Sequence, residues 1–206
     1  MEQTTKKQIE VEKKVKLEDH HLAEIIKKGI FLKEKQIKDT YFDKVDFDFT
    51  IQNMWLRERD GQFELKRGIK KERESIDYYE EIIDKESIRV HLGIHPEREF
   101  SQAILQAGIH PFCSFVTHRQ CYQLGEVFID IDKADFGDLS YVVAEFEVLV
   151  DSIEKIEEAE EKIQELLEQM HIDASIIIPA KLTYYLYHRR SSHYQALINH
   201  KVIKPF

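Results

Sequence analysis

The chain has 206 residues, 42% of them hydrophobic and 33% charged, with a net charge of −9. That is enough apolar content for a sizeable core, and the composition argues against a disordered chain. The acidic balance excludes a general nucleic-acid or anionic-membrane binder, which relies on a basic surface, although a cleft can still be locally basic.

The first alternating run is IEVEKK, residues 9–14, where Glu10, Glu12 and Lys14 fall on one side of a strand and Ile9 and Val11 on the other. Asp19 can cap a helix over 20–28 that Gly29 ends. TYFDKVDFDFT, residues 40–50, reads as strand with turn. WLRERD (55–60) and QFELKRG (62–68) are alternating runs joined by Asp60-Gly61, a strong hairpin signal. The charged stretch from Lys70 to about Lys85 reads as a helix with Tyr78, Tyr79, Ile82 and Ile83 on its apolar side. A short helix over 97–107, ended by Gly108, precedes three strands at 111–119, 126–132 and 141–150. A long helix follows from Asp151, and Pro179 to about Asn199 is helical. Strands with helices before, between and after them indicate an α+β class. With seven glycines, four prolines and no Gly/Ser/Pro linker, residues 1–206 read as one domain.

The strand faces repeat one arrangement. Trp55, Arg57 and Arg59 share a side; Glu64 and Lys66 lie opposite Phe63 and Leu65; Asp130 and Asp132 face away from Ile129 and Ile131; Glu145 and Glu147 face away from Phe146. An open sheet with one wet face would give the same alternation. Here, however, carboxylates concentrate on some strands and cations on others. That segregation suits a closed sheet with a polar interior and helices covering its apolar outside. Interior charges need compensation. A polyphosphate with divalent cations would supply it: arginine grips phosphate oxygens in bidentate fashion, and carboxylates take hard cations such as magnesium, which they share with phosphates.

The ExExK pattern at Glu10, Glu12 and Lys14 is similar to the first-strand signature of the CYTH superfamily, the triphosphate tunnel metalloenzymes. Further along, TYFD, WLRERDGQFELK, SFVTHR, IDIDKADFG, EFEVL and PAKLTYYLYHRRSSHYQAL resemble, in that order, its soluble thiamine triphosphatase branch. The resemblance implies a single-domain, antiparallel, eight-stranded β-barrel tunnel flanked by helices. It implies Mg2+ held by Glu10, Glu12, Asp130, Glu145 and Glu147, and triphosphate held by Lys14, Arg57, Arg59, Lys66, Arg119 and Lys181. It further implies that Tyr41 works with Lys66 at the reacting phosphate and that Trp55 stacks on the thiamine moiety. The branch habit is monomeric. A departure lies after the DFG of 135–137, where about three residues are inserted.

Competing readings are an inorganic tripolyphosphatase, a non-catalytic polyphosphate-binding module and an adenylyl cyclase of the same superfamily. His91 and His95 have metal-like spacing, but Gly93 lies between them and no HExxH exists. His20 and His21 fall at the exposed start of the first helix. No glycine-rich phosphate loop is present, so side chains must build any phosphate site. Cys113 and Cys121 form no CxxC pair, and no run of about 18 apolar residues suggests a membrane helix. A reduced, cytoplasmic protein acting on a small molecule is the expectation, with no nucleic-acid or membrane partner.

Overall fold

The structure, a computed structural model, describes residues 9–69, 76–95 and 98–206. Its strands are β1 (Ile9–Val15), β2 (Ile30–Asp43), β3 (Met54–Arg59), β4 (Gln62–Gly68), β5 (Asp77–Ile82), β6 (His110–Leu124), β7 (Val127–Asp135) and β8 (Ser140–Val150). They close into an antiparallel barrel in the order β1-β5-β4-β3-β2-β6-β7-β8, with β1 pairing both β5 and β8. Among the described residues six helices surround it: α1 (Asp19–Lys28), α2 (Lys85–Leu92), α3 (Phe100–Gln106), α4 (Ile156–Gln169), α5 (Lys181–Arg189) and α6 (Ser191–Asn199).

The barrel is apolar outside and charged inside. Ile9, Val11 and Phe146 point outward and pack with Ile163 and Leu167 of α4. Leu56, Phe63 and Leu65 do the same against Ile88 and Leu92 of α2 and Phe100 and Ile104 of α3. A third cluster is built differently. Inward-facing Tyr41, Trp55 and Phe115 meet Leu182, Leu186 and Leu197 of α5 and α6, so these helices plug one end of the barrel. Among the described residues, no helix is long and apolar enough to cross a membrane.

The hairpin expectation holds: Asp60 (φ 48°) and Gly61 (φ 84°) are both left-handed, the turn that matches strand twist. The expected helix from Lys70 to Lys85 is wrong where it can be seen. Residues 70–75 lie outside the described residues, and 77–82 form β5. Tyr78, Glu80 and Ile82 are buried on its outer face, while Tyr79 and Glu81 alternate inward. Pairing with β1 and β4 overrides the helical spacing of the tyrosines and isoleucines, since the barrel cannot close without this strand. Helix α2 then starts afresh at Asp84, whose side chain accepts the Ser87 backbone N–H at 2.7 Å.

Other boundaries also move. Strand β2 begins at Ile30, ten residues before the expected run. The C-terminal helix is two helices, broken at Arg190 (φ −142°, ψ 64°). His21 is buried rather than exposed, and its Nδ1 accepts the Glu18 backbone N–H at 3.1 Å.

Candidate functional site

Alternation puts one face of each strand inside; register decides who meets whom. Across β3 and β4, Trp55 lies opposite Lys66 and Arg57 opposite Glu64. Tyr41 on β2 lies opposite Arg57, and Lys66 lies opposite Glu81 on β5. Glu10 lies opposite Tyr79, Glu12 between Asp77 and Glu147, and Lys14 opposite Glu145. Asp130 faces Glu145, and Arg119 faces Asp132. Directly opposed side chains are the unit of interaction in a sheet, so this register makes a ladder of charges along the bore.

The bore opens into a cavity of about 940 Å³ lined by Glu10, Glu12, Lys14, Tyr41, Trp55, Arg57, Arg59, Lys66, Arg119, Glu145, Glu147 and Lys181. Of the residues expected at the site, Asp130 alone is not part of this lining; it sits behind Arg119, hydrogen-bonded to it.

Every expected cation is already paired. Arg119 donates to both oxygens of Asp132 (2.6 and 2.5 Å), to Glu145 Oε2 (2.7 Å) and to Asp130. Lys181, at the first residue of α5, donates to Glu145 Oε1 at 2.8 Å and to Asp132. Arg59 grips Asp39 with both nitrogens of a fork, at 2.8 and 3.1 Å. Arg57 bonds Glu64 at 2.7 Å and Glu81 at 3.1 Å. Lys14 reaches Glu12 at 2.6 Å and Asp77 at 3.3 Å; Lys66 pairs with Glu10 and, at 3.4 Å, with Glu12.

The acids named here outnumber these cations, and the surplus gathers in one place. Glu10, Glu12 and Glu147 bring one carboxylate oxygen each within 4.8 Å of one another. Burial, then Glu10, Asp130 and Glu12, push the Glu147 carboxyl up to about 8. Glu145 shows the opposite outcome. Burial drives it upward, but Lys181 and Arg119 outweigh that and hold it well below the usual range. Asp130 is raised by burial in spite of Arg119, because Glu145 and Asp132 share the same guanidinium. For Lys14 and Lys66 burial favours the neutral amine, yet Glu12 with Asp77, and Glu10 with Glu12, keep both firmly protonated.

The five carboxylates expected to hold metal therefore divide. Glu10, Glu12 and Glu147 form an acidic trio, whereas Asp130 and Glu145 hold Arg119, and Glu145 also Lys181. A hard divalent cation suits the trio, since oxygen donors at this separation lose their mutual repulsion on binding one.

Tyr41 and Lys66 both line the cavity. Tyr41 stacks on Phe115 with ring centroids 5.9 Å apart, and the ring beneath the Lys66 ammonium is Tyr79, at 4.8 Å. Burial and Asp77 raise the Tyr79 phenol, so it stays neutral. Asp39, Asp77, Tyr79 and Glu81 were missed in the sequence. Asp39 was findable by extending the β2 alternation upstream of Thr40; the other three were hidden by reading their strand as helix. Asp132 and Glu64, which share faces with expected site residues, hold Arg119 and Arg57 in place. The two thiols are buried, and burial pushes both up to about 12, leaving no thiolate for nucleophilic chemistry.

Known structures share this architecture. A Pyrococcus horikoshii OT3 protein is 21% identical, with a TM-score of 0.62 over 87% of this chain and 99% of its own. A candidate adenylate cyclase from Bacillus halodurans is 16% identical, with a TM-score of 0.55 over 88% and 99%. A Hippeastrum protein described as having a dominant triphosphatase activity is 13% identical, with a TM-score of 0.52 over 88% and 96%. At such identities the likeness is one of fold. The family model for the CYTH domain matches residues 8–177, and with a charged, eight-stranded tunnel behind that match, this chain belongs to the CYTH domain family.

Proposed function

We propose that this chain hydrolyses thiamine triphosphate to thiamine diphosphate and phosphate with magnesium. The observation that carries the reading is a bore in which six paired cations sit among more carboxylates than they can neutralise. Cations alone would suffice for a module that merely binds polyphosphate. Surplus carboxylates would repel a triphosphate unless divalent cations entered with it. The triphosphatase activity described for the Hippeastrum protein is consistent with this chemistry.

Bound at Glu10, Glu12 and Glu147, magnesium would supply charge neutralisation of the phosphates. The protein's own groups do the rest. Lys14, Arg57, Arg59, Lys66, Arg119 and Lys181 exchange carboxylate partners for phosphate oxygens, with the arginine forks fixing orientation. Asp130 and Glu145 keep Arg119 aimed into the bore, and Tyr41 borders the reacting end. Attack of water on the terminal phosphorus forms one P–O bond and breaks the bridging one. Its electron pair leaves with the diphosphate, whose growing charge the same cations stabilise.

This exchange predicts coupling between ligands. Tripolyphosphate alone frees carboxylates that then lack counter-charges, and magnesium alone meets carboxylates still held by lysines. In a thermal shift assay, the rise in melting temperature with both present should exceed the sum of the separate rises. Simple additivity would count against a shared site.

Specificity is assigned to Trp55, on the same face as Arg57 and about 6–7 Å along the strand. Stacking of a thiazolium on an indole is worth about 0.5–2 kcal/mol. One observation favours the inorganic tripolyphosphatase instead: Trp55 is 8% exposed and packs with Leu182 and Leu186. Phosphate release from thiamine triphosphate, tripolyphosphate and ATP, with and without magnesium, decides between them. Trp55→Ala should lower kcat/KM for thiamine triphosphate relative to tripolyphosphate by about tenfold. An equal loss on both substrates would assign Trp55 to packing and the activity to tripolyphosphate.

A further inference from the structure

Asn53 ends the 3₁₀ turn Thr50–Gln52 in the left-handed region (φ 58°, ψ 37°), which asparagine tolerates better than other side-chain-bearing residues. Its backbone is fixed twice. Its N–H donates to the Thr50 carbonyl at 3.0 Å, and its carbonyl accepts the Gly68 N–H at 2.8 Å. Its side-chain Oδ1 accepts the Trp55 indole Nε1–H at 2.8 Å. The amide lies flat against the last residue of β4. A Cβ on Gly68 would fall 1.7 Å from Asn53 Nδ2 and 2.3 Å from Cγ. Gly68 is not among the positive-φ glycines, so its conformation does not demand glycine; this close approach does. The indole has a single polar group, and Asn53 occupies it. Buried in one cluster with Leu182 and Leu186 and with its N–H tethered, the ring is held where it borders the cavity.

We propose that Asn53 is a positioning residue for Trp55, with Gly68 leaving the space its amide needs, and that this pair sets the selectivity for a triphosphate bearing a flat organic cation over a bare triphosphate. The inference rests on the substrate reading above and deepens it.

Three variants of the full chain test it. Asn53→Gly keeps the left-handed backbone but deletes the amide; Asn53→Asp keeps an acceptor oxygen; Gly68→Ala drives the amide away. The chain has one tryptophan, so indole fluorescence reports on this ring alone. Asn53→Gly and Gly68→Ala should lower the tryptophan anisotropy. They should also lower the kcat/KM ratio of thiamine triphosphate to tripolyphosphate by about fivefold, through KM, on the scale of one lost hydrogen bond. Asn53→Asp should stay within about twofold of wild type on both readouts. Anisotropy and ratio both unchanged in Asn53→Gly, or Asn53→Asp falling as far as Asn53→Gly, would overturn the assignment. A wild-type protein that does not discriminate between the two substrates would overturn the substrate reading and the selectivity with it. A wild-type preference that survives Asn53→Gly would overturn the role of Asn53 alone.

Discussion

Glu147→Gln should abolish phosphate release from thiamine triphosphate, a loss of about a thousandfold or more, without unfolding the protein. The substitution removes, at nearly constant volume, the carboxyl that must give up its proton to hold a divalent cation with Glu10 and Glu12. Its effect on stability has a definite sign. The folded carboxyl titrates at about 8, above its ordinary value of 4.5. Between those two pH values the folded chain holds a proton that the unfolded chain has released. Stability from this group is complete below the lower value and is lost as pH rises through about 8. Glutamine cannot ionise, so metal-free Glu147→Gln should melt higher than wild type on the alkaline side of that window. Magnesium should stabilise wild type there and the variant much less. Glu10→Gln should be equally inactive, but it also breaks the Lys66 ion pair and carries no such gain in stability. Near wild-type turnover of either variant at limiting magnesium would remove the trio from the reaction.

Sign and face were legible in the sequence; partnership was not. Alternation alone places Glu10, Glu12 and Lys14 on one side of β1, and Trp55, Arg57 and Arg59 on one side of β3. The Asp60-Gly61 turn fixes the register of one hairpin and so could have paired Arg57 with Glu64. The two-residue Gly125-Glu126 turn does the same for β6 and β7 and pairs Arg119 with Asp132, whereas no local signal fixes the pairings between strands distant in sequence. That Arg119 is clasped by Asp130, Asp132 and Glu145 emerges only once three strands are side by side. Strand β5 was illegible for a physical reason: Tyr78, Tyr79, Ile82 and Ile83 fall at helical spacing, and only closure of the barrel overrules it. The break at Arg190 likewise carries no proline or glycine to announce it. The division of the acids into a metal-competent trio and two holders of Arg119 also needed coordinates, because strand parity treats all five alike.

That division makes Arg119→Ala the most informative basic-residue substitution. Arg119 is 7% exposed and serves three carboxylates, of which Asp132 is fully buried. Removing the guanidinium leaves Asp132 and Glu145 with the Lys181 ammonium and takes from Asp130 the cation it is bonded to. Breaking a buried pair by deleting one partner costs about 3–5 kcal/mol, so a lowered melting temperature is expected. The kcat/KM should fall by about two to three powers of ten, the scale of one lost preorganised donor to a developing charge. Arg119→Lys separates the two effects. It keeps the charge that Asp132 and Glu145 need, so melting should recover most of the way. It lacks the planar fork, so kcat/KM should remain down by about tenfold or more. Arg57→Ala offers the contrast. Its partners Glu64 and Glu81 are more exposed, at 18% and 27% of their side chains, and can turn to water, while its buried partner Asp39, at 3.9 Å, keeps the Arg59 fork. Its kinetic loss should match that of Arg119→Ala while its melting temperature falls less. Arg119→Ala with kcat/KM within about tenfold of wild type would mean that this guanidinium serves the barrel's own carboxylates and not the phosphates.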